Sequence, residues 1–450
     1  MVSVAKFGGT SVGSAEKLMQ VASIIKNETP DSKYITVSAP ALGEKRMTKM
    51  LNELGNSYLN GNLNKGLQDE IGSWFTEIAT GVGLDRAELN DEFSALNNSI
   101  YRKDISNKGR YIAAIEAAGE RMNARCLVAA LNKIGLKSVL IYPCIRTNDD
   151  YSNAKVISKP EEIRESLLMH NYDNDYAVIP GYYGYTTDGY TATFGRGGTD
   201  LTGALLACAL NADKYQIFKD DVEGVCSTDP RIVPEAITLE EITYKEMREM
   251  AYLGAQVVHM DVMKMCRDSR VPIVVRSTTN LKNPGTRIVH ERDSKKNPIV
   301  GIAKKDGFTF FTIEQMGMNE SVGYLNNVLR VFNEEGISID HMTTSIDSIS
   351  LSVHQSQLNG HQLHIYEQLQ QRLKPDQISM NFNQSLICVV GEGMKHRIGT
   401  FSAISSALAE SSINIKTVYQ TPSEENVIIG VDGKDSDNAV RALHKEFFVE

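Results

Sequence analysis

The chain has 450 residues, enough for two or three domains with separate cores. Its apolar share of 42% and charged share of 23% are those of an ordinary globular protein. A net charge of -9 argues against a general nucleic-acid or membrane-surface role but leaves room for one local anion site.

The first predicted element is the apolar strand of "VAKFGGTSVGS", from Val4, which reaches Lys6 and runs straight into Gly8, Gly9, Thr10 and Ser11. Bare glycine backbone lets N–H groups come close to an anion. A helix is expected from about Ser14, with Leu18, Val21, Ile24 and Ile25 on one face, and its N-terminus favours phosphate. A tight strand–helix turn with a solvated lysine is the plainer reading of the same fragment. It is not a Walker A loop, since no G-x-x-x-x-G-K-[ST] occurs in the chain. Tyr34 to Pro40 reads as a short buried strand, and residues 46 to 135 as mostly helical around a loop at "LNGNLNKG", with Trp74 as a packing residue. Further strands are expected at Ser138 to Pro143, Tyr176 to Gly184, Lys214 to Asp220 and Pro272 to Ser277. Strand and helix signals thus alternate to about residue 290, which predicts an α/β fold with a largely parallel sheet.

A second glycine cluster, "FGRGGTD" from Phe194, stands at the start of a helix. There the backbone can close on a ligand, Arg196 can pair bidentately with a carboxylate, and Asp200 can hold a lysine or a metal-bound water near phosphates. Two such clusters in one chain weigh against plain turns. Between residues 283 and 307 the sequence becomes polar and punctuated, which marks a domain boundary. Beyond it "GYLNNVLRVFNEEGISIDHMTTS" from Gly323 aligns with "GTFSAISSALAESSINIKTVYQT" from Gly399, an offset of 76 residues. Each copy reads strand, turn, amphipathic helix, strand, and duplicated units of this kind suit regulator binding. The six cysteines form no close pairs and the histidines no persuasive metal set. No secretory leader or bilayer-length apolar run is visible, so a cytoplasmic protein is expected.

"KFGGTSV" at Lys6, "FGRGGTD" at Phe194 and the paired C-terminal repeats resemble the aspartate kinases of the amino acid kinase superfamily, along essentially the whole chain. The resemblance implies an amino acid kinase fold, a mainly parallel sheet sandwiched by helices, followed by two ferredoxin-like βαββαβ ACT units. It implies a catalytic domain over 1–295, with a substrate-binding lobe to about 200 and a nucleotide-binding lobe from about 200, then ACT units over 305–380 and 381–450, in series or interleaved. The implied reaction moves the γ-phosphoryl of MgATP to the side-chain carboxylate of L-aspartate, on the route to lysine or diaminopimelate, threonine and methionine. Such a carboxylate is already ionised at neutral pH, so the chemistry needs cations and oriented N–H groups rather than a general base.

By the same resemblance Lys6 and Asp200 are the catalytic pair. Ser38, Thr48, Glu120, Arg196, Gly197 and Gly198 would hold the substrate, Glu120 its amino group and Arg196 its α-carboxylate. Lys6, Gly8, Gly9, Thr199, Lys219, Asp220, Asp221, Cys226, Arg231 and Gln256 would face ATP. The chain departs from the family pattern at Asp220, Cys226, Gln256 and Met260; Gln256 stands where a phosphate-binding lysine is usual, and Lys219 is the expected replacement. Mg2+ would arrive with ATP, with no metal site of the protein's own. In the first repeat Met318, Ser321, Gly323, Tyr324 and Leu325 resemble one wall of a lysine-binding allosteric pocket. Ile339, Asp340, Thr344 and Ser345 resemble the other, with Asp340 pairing with the effector ammonium. Lysine is the first expected effector and threonine the second, and the ACT units are expected to pair subunits into a homodimer or tetramer. The other readings are a kinase of the same fold for another amino-acid carboxylate, and an ACT-type amino-acid sensor without turnover.

Overall fold

The computed structural model describes residues 2–102, 105–142, 145–169, 176–255 and 257–449. Two predicted positions, Pro143 and Gln256, lie outside the described residues. The chain divides into two compact units: residues 1–225, 238–244 and 257–292 form the first, and residues 226–237, 245–256 and 293–450 the second.

The first unit is built on an eight-stranded sheet. Its spatial order is Glu241–Thr243, Thr286–Val289, Ile273–Ser277, Lys214–Lys219, Ser3–Phe7, Tyr34–Val37, Tyr176–Pro180 and Ser138–Leu140. All neighbours run parallel except Ile273–Ser277 against Thr286–Val289. The strands buried on both faces are short runs of β-branched and aromatic residues, as a covered parallel sheet requires. Helix Ala15–Asn27 starts where Ser14 caps the Lys17 amide and buries Leu18, Val21, Ile24 and Ile25, the expected face. Among the described residues 47 to 133 lie five α-helices and one 3-10 turn, and Trp74 packs on the core while its indole N–H donates to the Gly13 carbonyl at 3.1 Å. The Tyr176 to Gly184 stretch forms two strands rather than one, because Gly181 and Tyr182 break it; Tyr182 sits at φ 77°.

Ser3–Phe7 is the central strand. From it the chain proceeds to Tyr34–Val37 on one side, while Lys214–Lys219 pairs on the other. That is a topological switch point, where loops leaving the carboxyl ends diverge and open a crevice. Lys6 and Lys219 lie at the carboxyl ends of the two central strands, and Ser38 follows the third.

The second unit carries a six-stranded antiparallel sheet in the order His341–Thr344, Ser348–His354, Gly301–Glu314, Gln377–Val390, Asn426–Asp432, Thr417–Tyr419. Two strands of 14 residues run through its middle. Phe311 and Ile313 of the first join a core with Val328 and Phe332, whereas Ile302 joins another with Ile404 and Leu408. The second long strand divides in the same way, Met380 toward the first core and Ile387 toward the other. Val328, Phe332 and Ile337 of the first copy and Ile404, Leu408 and Ile413 of the second therefore fill equivalent places in two cores.

Candidate active site

The crevice is assembled from loops that approach one another closely. Gly9 is required by contact: a Cβ there would lie 2.6 Å from the Ala39 carbonyl oxygen. The glycine loop after Ser3–Phe7 thus packs on the loop carrying Ser38. Buried Asn123, on helix Ala118–Lys133, donates to the Ser38 carbonyl at 2.8 Å and fixes that loop to the helix bearing Glu120. Thr48 and Gly9 line a common cavity of about 180 Å³ together with Arg46, which the sequence reading did not single out.

Lys6 is 6% exposed and Asp200 9%, and their ion pair closes at 2.5 Å. Asp200 lies in the first turn of helix Gly198–Ala209, whose amino end follows Gly197 in the left-handed region at φ 83°. A Cβ at Gly197 would stand 3.4 Å from the His259 ring, in ordinary contact, so the constraint there is the backbone conformation. Thr199 is buried beside them, and Arg196 stands exposed on the loop.

Lys219 ends its strand with Nζ donating to the Val257 carbonyl at 2.6 Å. Burial pulls its ammonium below the ordinary lysine value; Asp200 and Asp221 oppose that pull, and Lys6 reinforces it. Lys6, Asp200, Lys219 and exposed Asp221 therefore share one electrostatic neighbourhood. Asp220 is occupied differently. Its oxygens accept from the Ser11 hydroxyl, from Lys17 Nζ at 2.5 Å and from the Thr278 hydroxyl at 2.6 Å. Burial raises its carboxyl, but these donors outweigh burial and hold it low. Asp220 ties the glycine loop to two strand ends. Cys226 and Arg231 belong to the second unit, where exposed Arg231 forms a bidentate pair with Asp229.

Glu120 is 2% exposed, and its Oε2 has no hydrogen-bond partner among the described residues. Burial pushes its carboxyl up to about 8; the Glu116 charge adds to that, while the Ala39 amide and Arg121 act against it. A buried carboxyl with an open oxygen suits an incoming ammonium group. A hollow of about 1300 Å³ lies elsewhere, along helix Lys65–Val82, and is lined by none of the predicted site residues. Glu16, Asp69, Glu70 and Glu77 line it, and Lys45 there is paired with Glu70, a poor setting for a triphosphate.

In the second unit, Gly323 begins helix Tyr324–Glu334 at φ 85°. Met318 and Tyr324 are buried, with no partner for the Tyr324 hydroxyl among the described residues, and Ser321 and Leu325 are exposed. The Asn319 amide donates to the Ile346 carbonyl, so this wall meets the turn after Thr344 and Ser345. Asp340 follows half-buried Ile339 and lies at the opposite end of strand His341–Thr344, about 13 Å from Thr344 at the usual strand rise. Its Oδ1 accepts from the Tyr252 hydroxyl at 2.6 Å and its Oδ2 from the His354 amide at 2.9 Å.

Comparison with known proteins adds to this geometry. The amino acid kinase family model matches residues 1–277 and an ACT domain model matches residues 387–447. Aspartokinase 3 of Bacillus subtilis (strain 168) is 31% identical, over 99% of this chain and 98% of that protein. The crystal structure of Clostridium acetobutylicum aspartate kinase superposes with a TM-score of 0.88 at 30% identity, covering 99% of this chain and 100% of that one. Escherichia coli aspartokinase III, solved with lysine and aspartate, shares the fold: TM-score 0.75, 24% identity, 99% of each chain.

Proposed function

The chain belongs to the amino acid kinase family, in its aspartokinase branch, and on that premise we propose the working of its site. The reaction is transfer of the γ-phosphoryl group of MgATP to the side-chain carboxylate of L-aspartate, giving 4-phospho-L-aspartate and ADP. The acceptor is a ready nucleophile at neutral pH, so the barrier is the approach of two anions. Lys6, the Gly8 and Gly9 amides and the amino end of helix Gly198–Ala209 offset that repulsion. Asp200 orients the Lys6 ammonium, which is the observation that carries the reading. Glu120 receives the α-ammonium and Arg196 the α-carboxylate, with Ser38, Thr48, Gly197 and Gly198 around the acceptor. Thr199, Lys219 and Asp221 serve the nucleotide side, and Cys226, Arg231, Asp220 and Gln256 remain assigned to it by resemblance. Asp200 and Asp221 are carboxylates suited to Mg2+ brought in on phosphate oxygens, where the ion would neutralise phosphate charge.

An amino acid, lysine first and threonine second, regulates turnover at the first ACT unit. Exposed apolar tips there, Met316, Val322 and Ile346, support pairing of copies as a homodimer or tetramer. A cytoplasmic setting belongs to the same reading; among the described residues no helix is long and apolar enough to cross a membrane.

Coupled ADP release with L-aspartate, L-glutamate or no acceptor tests the reaction. Turnover should require aspartate, and Lys6→Met should lower kcat roughly a hundredfold or more. Equal ADP release without an acceptor would overturn the reading. Lys219→Ala should raise the ATP KM about tenfold if Lys219 supplies the missing cation; an unchanged KM would return it to a strand-end role.

A further inference from the structure

One buried carboxylate at the acceptor wall is not used by this mechanism. Glu116 ends helix Lys108–Glu116, four positions before Glu120, and is 9% exposed. Donors from three separate elements converge on it. Asn52 Nδ2, from helix Met47–Leu59, reaches Oε1 at 2.7 Å, and the Tyr182 hydroxyl reaches Oε2 at 3.1 Å. Thr193 Oγ1 lies 3.4 Å from the same Oε2, its hydrogen shared with the Tyr151 carbonyl at 3.0 Å.

Tyr182 itself is held in a demanding posture. A bulky residue seldom adopts φ 77°. Its amide donates to Thr202 Oγ1 at 3.1 Å and its carbonyl accepts from the Phe194 amide at 2.8 Å. Its ring covers Gly198, with Cδ2 2.9 Å from where a Cβ would stand. Gly198 is the first residue of the helix that bears Asp200. Glu116 therefore braces, through one hydroxyl, the side chain that roofs the amino end of that helix, and it also acts electrostatically on Glu120.

We propose that Glu116 is a positioning and selectivity residue for phosphoryl transfer, which holds Tyr182 over the helix start and makes the acceptor wall a two-carboxylate receiver for a primary ammonium group. The proposal rests on the aspartate kinase reading above. It implies that four-carbon dicarboxylates without a charged α-amino group, such as succinate or N-acetylaspartate, are refused because they bring no ammonium to offset the ionisation of Glu120 next to Glu116. The groups acting on this pair are Arg121 beside Glu120, Tyr182, which donates to Glu116 and feels the charge of both, and Asn52 and Thr193 on Glu116.

The test uses the full-length protein, with calorimetric titration of L-aspartate between pH 6 and 9 and ADP release with aspartate, succinate and N-acetylaspartate. Glu116→Gln keeps the size and removes the charge. It should move the pH at half-maximal aspartate affinity downward by roughly half a unit or more, because Glu120 then ionises without a like-charged neighbour. It should also reduce discrimination against succinate about tenfold. Tyr182→Phe should raise the aspartate KM several-fold and leave the pH midpoint in place. An unmoved midpoint and unchanged discrimination in a folded Glu116→Gln protein overturn the proposal, as does an unchanged aspartate KM in Tyr182→Phe should the first variant not fold. If the wild type shows no aspartate-dependent ADP release, the aspartate kinase reading fails instead.

Discussion

The Lys6–Asp200 pair is nearly removed from water, so each partner depends on the other for more than catalysis. Removing one member of such a pair strands the other charge and costs about 3–5 kcal/mol. Lys6→Met should therefore lower the melting temperature as well as kcat. The double variant Lys6→Met/Asp200→Asn should regain most of the thermal stability and none of the turnover; melting curves beside ADP release check this. Glu120 makes a complementary prediction. Its carboxyl rises from an ordinary value of 4.5 to about 8, so the folded ligand-free protein holds a proton that the unfolded chain gives up. Stability is lost as pH climbs from about 4.5 to 8, and is level above that. Glu120→Gln should show no such decline, so its advantage in melting temperature over the wild type should widen across that range. The two glycine clusters were legible in the sequence because each gathers its groups within a few neighbouring positions. Glu116 was not. Its surroundings come from Asn52, Tyr182 and Thr193, which share no spacing that a sequence displays.

Among the elements, helix Gly198–Ala209 is the most exposed to small changes at its start. Gly197→Ala would force a side chain into the left-handed region and toward His259. A drop in kcat together with weaker aspartate binding is expected, readable from steady-state kinetics and calorimetry. Helix Tyr244–Tyr252 has a different task, since its last residue occupies one oxygen of Asp340. An effector ammonium seeking that oxygen must displace the hydroxyl. Tyr252→Phe should accordingly lower the lysine Kd several-fold, and Asp340→Ala should abolish lysine inhibition while keeping turnover. Unchanged lysine binding in both variants would leave Asp340 a purely structural acceptor. Periodicity recovered the first helix, the central strands and the aligned cores of the repeat, because burial acts on whole faces. It joined Tyr176–Pro180 to Tyr183–Thr186, because only the backbone at Tyr182 separates them.

Seen as a whole, the chain changes unit five times, at residues 225/226, 237/238, 244/245, 256/257 and 292/293. Residues 226–237 and 245–256 pack within the second unit: Val233 lies in the core with Ile404 and Leu408, and the Ser227 carbonyl accepts from the Ile302 amide at 2.7 Å. Expression of residues 1–292 alone should therefore give an aggregating or dye-binding protein rather than a tidy kinase, because Val233 and Met250 lose their cover. A monodisperse fragment with full kcat in size-exclusion and ADP-release experiments would refute this. Recombination meets a similar obstacle inside the second unit. Each 14-residue strand is a timber common to two rooms, so neither repeat can be exchanged as a cassette between relatives. A chimera that keeps its sensor intact must carry both copies together, residues 293–450, with the inserts 226–237 and 245–256 that belong to the same unit.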